Sequence, residues 1–158
     1  METKDIVYAV GIGLTFILGI WNLINNYLQT KKTNFINTVT KQRIEWSEQI
    51  RQDISKFCGL TYTWSFSNLQ GKPDEQNVLL QIDHLRHIIK LRLNSNDTAD
   101  KKITELVDKI PCLTDKSKHN ELKEALRDLI SETQVMLKAE WEKVKEESEK
   151  GNISKKRT

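Results

Sequence analysis

His84 and His87 stand three residues apart, beside Asp83. On a helix that spacing sets two imidazoles on adjacent turns, where both could ligate one transition metal. A zinc centre needs three or four protein ligands, and no third is apparent near this pair, so the same residues also read as ordinary polar positions on a charged helical face. Glu45 with Glu48, and Glu140 with Glu142, are carboxylate pairs of the type that general acid–base chemistry uses. Glu-rich helices produce such pairs on solvated faces by chance, and no nucleophile and base accompany them. Gly11 and Gly13 make a Gly-x-Gly, but they follow no strand and lie inside an apolar run, so they hold no phosphate. Cys58 and Cys112 are far apart and are expected to be free thiols serving as small core residues. No catalytic residue, metal or cofactor is assigned, and the chain is read as a non-enzyme.

The elements that would carry these residues divide sharply. From Ile6 to Ile24 run nineteen residues without a charge, and after Asp5 the next charged side chain is Lys31. At ~1.5 Å per residue such a helix reaches ~28 Å, close to the ~30 Å hydrocarbon thickness of a bilayer. Residues 1–28 are therefore expected to be a transmembrane anchor, 29–149 a helical bundle, and 150–158 a disordered basic tail. A cleaved signal peptide is the alternative, but it needs a positive n-region, and here Glu2, Lys4 and Asp5 precede the span while Lys31, Lys32, Lys41 and Arg43 follow it. Positive residues stay inside, so the N-terminus is expected outside and the bundle in the cytoplasm. Trp21 and Tyr27 fall where interfacial aromatics sit. Phe35, Ile36 and Val39 interleave the basic stretch, which could alternatively lie on anionic headgroups. Gly11, Thr15 and Gly19, four apart, form a small-residue stripe that would let two spans approach closely, although glycine is also simply common in membrane helices.

Beyond Leu28 the chain carries 24 Lys and Arg against 20 Asp and Glu, a net +4 with the signs interspersed, which is no nucleic-acid footprint. Its apolar residues recur at three and four. Ile36, Val39, Trp46, Ile50, Ile54 and Phe57 make one seam, with Arg43 filling the missing position. Leu60, Tyr62, Trp64 and Phe66 alternate with polar residues as a strand would, but Leu60 and Trp64 also extend the seam and no partner strand is in sight, so Leu60–Ser67 is read as helix. Gly71, Lys72 and Pro73 make a turn. A second helix is expected from Asp74, its N-cap candidate, to Leu93, and a short third one capped by Asp97 or Thr98 and stopped by Pro111. A long fourth opens near Thr114 or Asp115 and carries Leu122, Leu126, Leu129, Trp141 and Val144. The fold class is all-α: an N-terminal transmembrane helix, then an antiparallel bundle with long first and last helices. Trp46 and Trp141 are expected to pack on inner faces.

The strings Lys41-Gln42-Arg43-Ile44-Glu45-Trp46, Gln49-Ile50-Arg51, Leu91-Arg92-Leu93-Asn94 and Lys138-Ala139-Glu140-Trp141-Glu142-Lys143-Val144-Lys145 resemble those of a loose group of uncharacterised bacterial and phage-borne proteins with one membrane helix and a helical cytosolic region. The resemblance implies a bacterial inner-membrane setting and transfers no activity. The expected function is a membrane-tethered scaffold or accessory subunit that self-associates and binds an unidentified protein partner, with Arg43, Trp46, Ile50, Phe57, Trp64 and Trp141 forming an interaction or packing seam. The alternative is a membrane-active effector that assembles a pore or perturbs the bilayer under control of its bundle. An enzyme is the third reading.

Overall fold

The computed structural model describes residues 3–67, 69 and 71–150, nearly all of them helical, with no strand among them. The expected disordered tail falls outside the described residues, apart from the helical backbone of Lys150. By contacts the chain separates into two units, one formed by the residues up to Gln42 with those from Val144 on, the other by Arg43–Lys143.

The first unit contains helix α1, Thr3–Phe35, followed by a π-helical segment, Ile36–Thr40. Every large apolar side chain of α1 from Ile6 to Leu28 is exposed. Three glycines in a helix interior would each cost about 1 kcal/mol in water relative to alanine, so this sequence is poorly suited to an isolated aqueous helix. In lipid the backbone has no solvent partner, and the helix is the form that satisfies every N–H and C=O internally. Thr40, Val144 and Glu147 are buried in this unit.

The second unit is a four-helix bundle. Its helices are α2 (Lys41–Phe66, from Arg43 on), α3 (Glu75–Arg92), α4 (Thr98–Lys109) and α5 (His119–Lys150, as far as Lys143). Ile50, Ile54 and Phe57 of α2 meet Ile82, Leu85 and Ile89 of α3, Ile103 and Val107 of α4, and Leu122, Leu126 and Leu129 of α5 in one core. Each fully buried aliphatic or aromatic side chain contributes roughly 1.5–3 kcal/mol, and Phe57, wholly buried, is the largest of them. The α2–α3, α4–α5 and α2–α5 pairings are antiparallel. Trp46, near the start of α2, bonds Arg92 at the end of α3, and Lys102 early in α4 reaches Glu132 of α5. Ser65 at the end of α2 meets His119 at the start of α5.

Leu60–Phe66 is helical, as the seam argument expects. The buried line, however, does not follow Leu60 and Trp64, which are only partly buried; it passes from Phe57 through Thr61 to Ser65. Thr61 is tolerated there because its hydroxyl donates to the carbonyls of Phe57 at 2.8 Å and Cys58 at 3.1 Å, and Thr133 of α5 uses the same device toward Leu129 at 2.7 Å.

Three helix ends differ from expectation. Asp74 makes no side-chain cap to α3; Glu75 reaches back instead, accepting from the amide of Gly71, whose φ of +76° suits a residue without Cβ. α4 stops at Lys109, just ahead of Pro111 as expected, but helical winding continues as a 3-10 segment, Ile110–Leu113, in whose first turn the missing N–H of Pro111 goes unneeded. Asp115 caps a short 3-10 turn, Lys116–Lys118, by accepting from Ser117, and α5 opens only at His119. Trp141 is 50% exposed and belongs to no core cluster, whereas Trp46 packs against the core. Asp97 caps α4 as expected, accepting from the amide of Ala99 at 3.0 Å.

Candidate functional site

Helix α1 carries the feature with the plainest consequence. The small residues Gly11, Thr15 and Gly19 line a shallow apolar groove along its surface, walled by larger side chains such as Tyr8, Ile12 and Phe16. A Cβ added at Gly11 or Gly19 would meet nothing within 4 Å, so the room belongs to whatever packs against the helix. Thr15 donates its hydroxyl to the carbonyl of Gly11 at 2.8 Å, leaving little unsatisfied polarity on this face. Trp21 and Tyr27 are exposed toward the end of the apolar run, and Lys31, Lys32 and Lys41 are exposed beyond it.

Within the bundle, the end of α3 is latched to α2 by polar contacts. Trp46 Nε1 donates to the carbonyl of Arg92 at 3.1 Å, satisfying one of the acceptors that a helix end leaves open. The Arg92 guanidinium pairs with Asp53 at 2.8 Å and donates to Gln49. Of the expected seam, Ile50 and Phe57 are core, Trp46 and Trp64 pack at its edge, Arg43 is half-buried, and Trp141 is half exposed outside the core cluster. Arg92, Asp53 and Gln49 are polar and leave no mark on the apolar spacing. Their only sequence signal is that Gln49 and Asp53 flank the seam position Ile50 on the next ridge of the helix.

A second charged cluster ties α3 to α4. Lys90 and Arg86 donate to Asp108 at 2.8 and 2.7 Å, and this pair of cations holds the Asp108 carboxyl below the usual aspartate range. Asp100 goes the other way. Burial pushes its pKa up, helped by the nearby carboxylates of Asp97 and Glu140, while the Asn94 amide it accepts from at 2.7 Å and the Lys143 charge work in opposition.

Conventional chemistry is thinly supplied. Cys58 and Cys112 are free as expected, but neither is a fully buried core residue: Cys112 is exposed, and Cys58 is partly buried against the core, where burial raises its thiol to about 11, far from thiolate reactivity. His119 is held within the fold, its Nε2 3.1 Å from the Ser65 carbonyl and its ring stacked on Phe66. His84 and His87 are both exposed on α3, and among the described residues no three His, Cys, Asp or Glu side chains cluster as a metal site would require. Glu48 pairs with Arg51 and Gln52, and Glu140 with Lys143, so these carboxylates serve as helix-surface ion pairs. No protein-family model, curated protein or solved structure matches the chain.

Proposed function

We propose that this chain is a single-pass, membrane-tethered helical module that acts by protein–protein binding and self-associates through its anchor. The observation that carries the reading is the contrast between α1 and the bundle. Of the candidate span's most apolar stretch, with a mean hydropathy of 1.9, nothing is buried, whereas the bundle's own apolar side chains close on a dense core. An apolar surface of that extent is untenable in water and ordinary in lipid. The charge order around it, with Glu2, Lys4 and Asp5 before and Lys31 and Lys32 after, supports an outside N-terminus and a cytoplasmic bundle.

The small-residue groove supports association of anchors by close backbone approach. It favours a scaffold over a pore, because the Thr15 hydroxyl is already committed to Gly11 and the stripe offers scant polar lining for water or ions. Overexpression with a potential-sensitive dye separates the two: a scaffold leaves the membrane potential intact, and depolarisation would favour the effector instead. Crosslinking in membranes, followed by mass spectrometry of the captured species, is the direct test of binding; a chain that crosslinks neither to itself nor to any protein would contradict the reading.

A further inference from the structure

We draw no further inference here: the strongest candidate, the polar cleft between the end of α2 and residues 111–116, lined by Trp64, Ser65, Cys112 and Lys116, carries nothing, because the unpartnered Ser65 hydroxyl is sealed inside the fold rather than open to the cleft and nothing in the structure shows what would fill it.

Discussion

Ser65 lies in the core with its hydroxyl unpartnered among the described residues, while Thr61 one turn earlier satisfies its own. The difference sets opposite expectations for two small substitutions. Ser65→Ala removes a buried polar atom that makes no bond and should raise stability by about 1 kcal/mol, seen as a higher urea midpoint with unchanged slope. Thr61→Ser keeps the hydroxyl but deletes a buried methyl, and should lower stability by about 1 kcal/mol. The two unusual aspartates separate by pH. Asp108 is held below the usual aspartate range by Lys90 and Arg86, so its contribution is present at neutral pH and is lost as pH falls below about 4. Asp108→Asn should weaken the bundle at pH 7 by about 1 kcal/mol, the groups being a third exposed, and should flatten the acid limb of a stability–pH profile. Asp100, raised chiefly by burial, behaves inversely: the folded state holds its proton more tightly than the unfolded chain, so this carboxyl opposes folding at neutral pH and ceases to as pH falls through its raised pKa. Asp100→Asn should therefore be at least as stable as the parent at pH 7, with the gap closing on acidification; a gap that widens in acid would contradict that assignment.

At the scale of elements, the bundle's helices were legible in sequence because amphipathic spacing reports which face is buried, and that signal survives in α2, α3 and α5. Leu60–Phe66 shows why the period alone was ambiguous: its alternation is a strand's, and only the want of a partner strand decides for helix. What escaped the pattern is polar. Thr61 and Thr133 look like surface residues until their hydroxyls are seen bonded to their own helix, and the latch joins Arg92 to Trp46 and Gln49, 46 and 43 positions away in the chain. Trp141 looks like a core residue because its size and spacing suit one, but spacing on a long helix does not say where the opposing surface ends. The latch should be measurable as a coupling. In a double-mutant cycle Asp53→Asn and Arg92→Met are expected to be non-additive by about 1 kcal/mol, and strict additivity would show that the pair contributes nothing as a pair. Phe57→Ala, which empties the centre of the core, should cost about 3–5 kcal/mol.

For the whole molecule, the organisation follows from placing two incompatible surfaces in one chain: an α1 with its apolar side chains outward and a bundle with its own inward. Gly11→Ile with Gly19→Ile fills the groove on α1 and should reduce crosslinked dimer in membranes severalfold without changing the bundle's unfolding midpoint. The most direct measurement is alkaline carbonate extraction of membranes from cells expressing the full chain, with a reporter fused after Thr158 read on each side of the inner membrane. The chain should remain in the pellet, with the reporter active only in the cytoplasm. Release into the supernatant, or a reporter active only in the periplasm, would contradict the tethered cytoplasmic bundle.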